Sequence, residues 1–446
     1  MPTTTSFDYA DLFAGIGGFH AVLSHVGGQC VFASEIDPKA SAIYQRNWPD
    51  APTISGDITK VDEVEIPPHD VLSAGFPCQA FSKSGLQRGI REARGTLFYD
   101  ILRILEHRTP PVILLENVRN LVGPRHKRTW TTIVRLLRQI GYRVSSEPVV
   151  FSPHFLPPEL GGAPQVRDRV YIVATYVGPK RSVLDVYDEP AVPRAPVGGW
   201  TPSRWDLFSN FPGGLDRGLD ASLVALSPDE SKWIEVWDDF VRRMVRIRKD
   251  PLPGFPLWFE DFRVRARVSS DMPEWKQRFL KANSAFYVAH RAEIDEWRGK
   301  WRRDLNTFPN SRLKLEWQAK QKKSLHDCAI QLRPSGIRAK EPTYLPALVA
   351  MGQTPILTPL KRRLSVPEAA RLQGLPEWFE LDDQAQSVSF RQLGNGINIG
   401  AAWWVLRAHV ERHQDLIPGH VATPILESEP PTVRSLKRPD ARRRVA

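Results

Sequence analysis

The sequence predicts an α/β fold, a doubly wound parallel sheet with helices on both faces, accompanied by a smaller second domain. Two observations predict the sheet. Short apolar runs at residues 7–13, 31–36, 71–74, 112–115 and 170–174 alternate with amphipathic stretches, the order in which parallel strands and crossover helices follow one another. A glycine-rich turn, Gly15, Gly17 and Gly18, separates the first run from a helical Phe19-His20-Ala21-Val22-Leu23, so a ligand can approach the backbone closely there. A third observation points to the second domain. Past Val177 the alternation stops, and Pro179, Pro190, Pro193, Pro196, Pro202 and Pro212 punctuate a stretch that reads as linker and irregular structure.

Each element has its own justification. The second run ends at Glu35, where a carboxylate can accept hydrogen bonds from a ribose diol. The third, Val71-Leu72-Ser73-Ala74, is uninterruptedly apolar, as strands covered on both faces are. It leads directly into Gly75-Phe76-Pro77-Cys78-Gln79-Ala80-Phe81-Ser82. Open α/β sheets place their active sites at the carboxyl ends of strands, and Cys78 falls there. A lone cysteine near a strand is by default a buried structural thiol. Only Cys30 and Cys328 accompany it, so disulfide and zinc explanations are poorly supplied. Helices are expected around residues 98–105 and 133–138 from their apolar spacing. Between residues 200 and 317 lie nine of the fourteen tryptophans. Among them Trp233 and Trp237 join Val236, Phe240, Val241 and Met244 at helical spacing, a stripe expected in a core rather than stacked on bases. There are no internal repeats.

The chain of 446 residues is long enough for two domains, and its 61 Lys and Arg against 50 Asp and Glu give a net charge of +11. That balance suits a polyanionic partner without demanding one. No apolar run has membrane-spanning length, and Met1-Pro2-Thr3-Thr4-Thr5 lacks a charged-then-apolar signal pattern. Three cysteines, one of them required as a free thiol, fit a reducing cytoplasm.

The motif around Cys78 has companions. Asp11-Leu12-Phe13-Ala14-Gly15-Ile16-Gly17-Gly18-Phe19, Phe76-Pro77-Cys78-Gln79, Glu116-Asn117-Val118, Gln165-Val166-Arg167-Asp168-Arg169, Arg371-Leu372-Gln373-Gly374-Leu375-Pro376 and Gln392-Leu393-Gly394-Asn395-Gly396 occur in this order. Together they resemble the motif set of the DNA cytosine-5 methyltransferases, over roughly residues 7–178 and 360–410. The continuation Gly396-Ile397-Asn398 departs from the family's usual Ala-Val-Pro and puts a local contact in doubt.

The resemblance implies a Rossmann-like S-adenosylmethionine-dependent domain and a target-recognition domain. It implies catalytic roles for Cys78 as nucleophile on C6 of cytosine and for Glu116 as the proton partner of N3. Arg169 would stand against O2, with Arg167 orienting Glu116. At the cofactor, Phe13 would pack, Gly15 and Gly17 would form the close turn, and Glu35 would hold the ribose. Asp57 would meet the adenine amino group, and Pro77 and Asn395 would line the pocket. Asp57 considered alone reads as a turn cap. No metal is required. On the DNA side the resemblance implies contacts from Gln79, Ser82 and Gln165. The polar, glycine-punctuated stretch after Cys78 suits a loop closing over DNA, because a base inside a duplex must leave the stack for such chemistry.

Recognition of a double-stranded DNA sequence is assigned to the variable region. In its basic, turn-forming segment at residues 333–340, Arg333 and Arg338 are candidates for guanine edges or for phosphates. The expected organisation is catalytic domain 1–180, variable region 181–360, returning motifs 361–421 and a disordered basic tail 422–446. Segments at 257–262 and 312–318 resemble those of a bacterial subset from restriction–modification systems. A cytoplasmic, monomeric, DNA-associated enzyme functionally paired with a restriction endonuclease is therefore expected. Three rivals are a tRNA cytosine-5 methyltransferase, a nicotinamide oxidoreductase and an inactive DNA-binding regulator. The long Trp- and Arg-rich insertion disfavours the first. Cys78, Glu116 and Arg169 are unexplained by the second, and the third would usually have lost Cys78 or Glu116, both present here.

Overall fold

A computed structural model describes residues 7–77, 97–184, 187–216, 218, 220–248, 250–348, 354–381 and 383–439. It forms two compact units, Met1–Leu215 with Val366–Ala446, and Asp216–Ser365. The proline-punctuated stretch assigned above to the variable region packs with the first unit. Trp200 and Trp205 both donate from Nε1 to the His154 carbonyl at 3.1 Å, and Trp205 and Leu207 are buried.

In the first unit, strands β1 (Phe7–Leu12), β2 (Gly28–Ser34), β3 (Val71–Gly75) and β4 (Val112–Val118) are parallel neighbours in the order β2-β1-β3-β4. Helices α1 (Gly18–His25), α2 (Pro38–Asn47) and α3 (Leu97–Arg108) fall between them in the chain, and α4 (Lys127–Gln139) follows β4. Two short strands, β5 (Tyr142–Val144) and β6 (Val149–Phe151), pair with successive halves of β8 (Arg169–Tyr176).

The sheet is not wholly parallel: β8 runs antiparallel to β4. A parallel return needs a crossover connection. Here β6 leads into single turns at Pro153–Phe155 and Pro158–Leu160 and the two-residue β7 (Gln165–Val166), so the chain reverses direction. A buried cluster joins Leu72, Ile113 and Ile172 of the sheet to Ile101 and Leu105 of α3 and Ile133 and Leu137 of α4. On the return of the chain, α13 (Ile399–Arg412) packs against α1 and β8. It follows α11 (Val366–Leu372) and α12 (Gln386–Asn395), while the short α5 (Pro179–Leu184) leaves β8.

The departure at Asn398 has a structural account. Asn398 is the N-cap of α13: its Oδ1 accepts from Ala401 N at 2.9 Å and its Nδ2 donates to Leu372 O at 2.9 Å, satisfying a free helix donor. Over its described residues, 422–439, the expected disordered tail needs correction. Helix α14 (Gly419–Glu427) packs on α13, Val433 and Leu436 are buried, and Arg434 and Arg438 pair with Glu377 and Glu380 at 2.9 and 2.7 Å. The apolar residues among the basic ones supply burial that net charge alone conceals.

The second unit begins with α6 (Ala221–Val224) and α7 (Pro228–Arg248), continues through β9 (Leu257–Trp258), α8 (Glu274–Ala289), α9 (Arg291–Lys300) and α10 (Arg302–Leu305), and then becomes mostly strand. Strands β10 (Lys314–Gln318), β11 (Ala329–Arg333), β12 (Gly336–Lys340), β14 (Ile356–Leu357) and β15 (Arg362–Arg363) form a sheet in the order β15-β14-β11-β12-β10-β9; the two-residue β13 is Leu345–Pro346. The α7 stripe lies in the core, with Val236, Trp237, Phe240, Val241 and Met244 fully buried among Trp297, Leu315, Trp317 and Ile337. Among the described residues no helix is long and apolar enough to cross a membrane.

Candidate active site

The carboxyl ends of β1 to β4 surround a cavity of about 430 Å³. A doubly wound sheet leaves a crevice there because its strands end together while its helices return behind. Phe13, Gly15, Glu35, Asp57, Pro77 and Asn395 all line it. The chain enters the cavity wall through Phe13, whose φ of 55° is unusual for a residue with a side chain. Gly15 follows at φ 58° with open space where a Cβ would stand. Its N–H donates to Glu35 Oε2 at 2.8 Å, and the other carboxylate oxygen accepts from Asp37 N at 2.8 Å. Glu35 is thereby held rigidly, with a lone pair on each oxygen left over.

Asp57 lines the cavity and caps the turn at Ile58–Lys60, accepting from Thr59 N at 3.1 Å and Thr59 Oγ1 at 2.8 Å. Gly17 needs correction. It does not line the cavity; a Cβ there would meet Trp48 Nε1 at 2.0 Å, and its φ is 93°. The glycine exists for Trp48, whose Nε1 donates to Ile16 O at 3.1 Å.

At the other end of the cavity, strand register brings Glu116 beside Gly75, three positions before Cys78. Glu116 is buried, and Arg169 Nε lies 2.9 Å from its Oε1. Among the described residues Oε1 has no well-aligned hydrogen bond, so the pair is held chiefly by charge. Burial pushes the Glu116 carboxyl above the usual carboxylate range, opposed by the nearby Arg169 and Arg167 guanidinium groups. The arrangement is a carboxyl poised to hold a proton, with a cation alongside.

Arg167 does not bond to Glu116. Its Nη2 donates to the carbonyls of Gly394, at 2.9 Å, and Gly396, and its N–H donates to Ser152 Oγ at 2.8 Å. Burial lowers its pKa to about 9. It anchors the Gly394–Gly396 wall and acts on Glu116 through charge alone. Gln165, expected at DNA, is fully buried and its Oε1 accepts from Gln373 Nε2 at 3.1 Å. It joins the segment at 165–169 to the one at 371–376 rather than facing a surface. Arg333 and Arg338 lie in the second unit, where both pair with Glu316. Cys78, Gln79 and Ser82 lie outside the described residues. The two other thiols are buried, and burial pushes each up to about 12, which removes them as nucleophiles near neutral pH.

Three residues escaped the sequence reading. Asn117 Nδ2 donates to Phe76 O at 2.9 Å and its Oδ1 accepts from Val118 N at 2.8 Å, clamping the end of β3 just before Cys78. Ile36 lines the cavity with 68% of its surface exposed, an apolar side chain awaiting a neighbour. Asp11 is buried beneath the glycine turn, accepts from Ser73 Oγ at 2.8 Å, and is raised to about 7 by burial. The Glu-Asn pair and the exposed position after Glu35 were the available signals for the first two; the third opens the motif at residues 11–19.

The strand ends thus gather a glycine turn, the held Glu35 carboxylate and a buried carboxyl–arginine pair around one cavity. The sequence matches the model of the C-5 cytosine-specific DNA methylases over residues 7–411. It is 42% identical to the Type II methyltransferase M.AluI of Cellulosimicrobium cellulans, over 92% of this chain and 93% of that one. It is 39% identical to M.HhaI of Haemophilus parahaemolyticus over 38% of this chain and 49% of that one. To M.NlaX of Neisseria lactamica it is 47% identical over 37% and 51%. With these two the match spans about half of the relative's length. Among solved structures, a mutant of DNMT2 from Spodoptera frugiperda superposes with a TM-score of 0.47 at 17% identity, over 90% of this chain and 98% of that one. The chain belongs to the C-5 cytosine-specific DNA methylase family and is a DNA cytosine-5 methyltransferase.

Proposed function

We propose that this enzyme methylates C5 of a cytosine swung out of a specific double-stranded DNA site, using S-adenosylmethionine and a transient bond between Cys78 and C6, and so protects host DNA from a cognate restriction endonuclease. The observation that carries the reading is the buried Glu116 carboxyl, kept toward its protonated form and paired with Arg169, in register with Gly75, which precedes the cysteine by three residues in the sequence. The Type II methyltransferase names of its relatives support the protective role.

The cavity suits the cofactor. Glu35 offers acceptor lone pairs to a ribose diol, exposed Ile36 and Phe13 offer apolar surface to an adenine, and Gly15 leaves room for close approach. When bound, S-adenosylmethionine supplies an electrophilic sulfonium methyl group that C5 takes up.

The chain's own residues make C5 reactive. The Cys78 thiolate forms a bond to C6, and the electron pair of the C5–C6 double bond moves into the ring. Glu116 gives its proton to N3, so the ring stays neutral as negative charge develops there. Arg169, held beside Glu116, faces the charge that would otherwise build on O2. Once C5 carries the methyl group, N3 returns its proton to Glu116 and a base removes the C5 proton; the freed electron pair restores the C5–C6 double bond, and the C6–S bond breaks to release the Cys78 thiolate. Asn117 fixes Phe76 and hence the approach of the thiol.

Bisulfite sequencing of DNA from cells expressing the protein identifies the methylated site. DNA carrying 5-fluorocytosine at that position should then trap the wild-type protein covalently, because fluorine blocks the elimination. Cys78→Ala should abolish both trapping and turnover while still binding S-adenosylmethionine. Absence of a trapped complex at a verified target would overturn the covalent mechanism.

A further inference from the structure

The outer face of the β10–β12 sheet carries an arrangement that the methyl-transfer chemistry does not use. Alternation along the strands sends Leu315, Trp317, Ile330, Ile337 and Ala339 into the apolar core. The period of two then puts Lys314, Glu316, Gln331, Arg333, Arg338 and Lys340 on the opposite face. Register sets Gln331, Arg338 and Glu316 in one row across β11, β12 and β10. Arg338 faces Glu316 directly, with Nη2 2.9 Å and Nε 3.0 Å from Oε1.

Arg333 starts one rung away, opposite Gly336. Because β12 lies between β11 and β10, its guanidinium must cross β12 to reach Glu316, and it does so, pairing with Oε2. Gly336 leaves that rung bare. Its φ is 141°, and a Cβ would stand 3.0 Å from both Cβ and O of Lys314. Two arginines from neighbouring strands thus meet on one carboxylate, at 20% exposure for Arg333 and Glu316 and 27% for Arg338. Neither arginine uses Nη1 on Glu316.

We propose that Glu316 is a positioning residue for sequence recognition: it holds Arg333 and Arg338 as one pre-oriented pair whose remaining donors read base edges, a step that rests on the DNA-methylating function proposed above. A free arginine loses its rotamer freedom on contacting DNA, and a side chain already held loses much less. The guanidinium fork matches the paired acceptors of guanine in the major groove. The shared carboxylate also cancels one of two adjacent like charges, so both cations can sit on one small patch. An arginine serving only to neutralise phosphate needs no such orientation.

The test uses full-length protein on duplexes carrying the bisulfite-defined site and on duplexes with single base-pair changes. Glu316→Gln preserves shape and removes the charge. It should lower the ratio of kcat/KM on the correct site to that on altered sites by roughly tenfold or more. The loss should fall at the base position affected by Arg333→Ala or Arg338→Ala, and combining Glu316→Gln with either should add little. Glu316→Asp, keeping the charge, should retain most of the discrimination. Thermal unfolding and S-adenosylmethionine binding, measured alongside, separate this from a folding defect, which would lower rates on every duplex without changing the ratio.

Arginine variants that lose discrimination while Glu316→Gln keeps it would overturn the proposal. So would a Glu316→Gln variant that binds all sequences more tightly with a steeper salt dependence, since Glu316 would then only repel phosphate. If the arginine variants alter neither ratio nor salt slope, the sheet face is no reader and the inference fails while the function stands. If the wild-type protein marks no site at all, the function itself fails.

Discussion

At the scale of single residues, the surroundings of Glu116 shift its acidity in the direction that its proposed task needs. Its carboxyl is buried, and the penalty on its ionised form outweighs the attraction of Arg169 and Arg167. A raised native pKa means that the folded protein holds this proton over a wider range than the unfolded chain. The associated stability is therefore lost as pH rises through the native pKa, and the proton needed at N3 is lost with it. Glu116→Gln should lower the single-turnover rate by roughly 10²–10⁴-fold while DNA affinity changes little, because an amide bonds to N3 without supplying a proton. The alkaline fall of the wild-type rate attributable to Glu116 should vanish in the variant. Single-turnover rates across pH, with DNA pre-bound, check both; an unchanged rate would remove Glu116 from the mechanism.

At the scale of elements, the turn between β1 and α1 uses its glycines for different reasons. Gly17 combines a left-handed φ of 93° with a Cβ position 2.0 Å from Trp48 Nε1. Trp48 could yield only by giving up its bond to Ile16 O. Gly15 also has a positive φ, but nothing stands within 4 Å of its Cβ position. Gly17→Ala should therefore destabilise the fold by about 1–3 kcal/mol or more. Gly15→Ala should cost the fold less and instead reduce the stabilisation gained from S-adenosylmethionine, because its Cβ would stand at the cavity it lines. Urea unfolding with and without the cofactor distinguishes the two. Equal losses in apo stability would contradict this division of roles.

At the scale of the whole molecule, catalysis and recognition are assigned to separately cored units. The residues proposed for chemistry all fall within Met1–Leu215 and Val366–Ala446, and the two arginines proposed to read bases within Asp216–Ser365. Each unit buries its own apolar cluster, so an exchange at 216 and 365 cuts through neither. Replacing residues 216–365 with the matching region of a relative that methylates a different sequence should move methylation to the donor's site with Cys78, Glu116 and Arg169 unchanged. Bisulfite sequencing reads the outcome; an active chimera that kept the original site would refute the assignment of recognition to this unit.

The alternation of apolar runs was legible in the sequence because strand and helix periods are local, and burial on one face leaves its mark every two or every three to four residues. The motif set was legible for a related reason: each segment lies at an end of a strand or helix, and its chemistry is written in consecutive residues. The Trp-rich stripe of α7 belonged to the same class and lies in the core. Tertiary structure alone decided the direction of β8, because that depends on how the chain returns rather than on the strand itself. It turned Gly17 toward Trp48, buried Gln165 against Gln373, and directed Arg167 to the Gly394 and Gly396 carbonyls. It also brought Arg333 and Arg338 onto Glu316, a residue 17 and 22 positions away in the chain. A side chain's type states which bonds it makes; which partner it meets is set by packing between segments that carry no trace of one another in sequence.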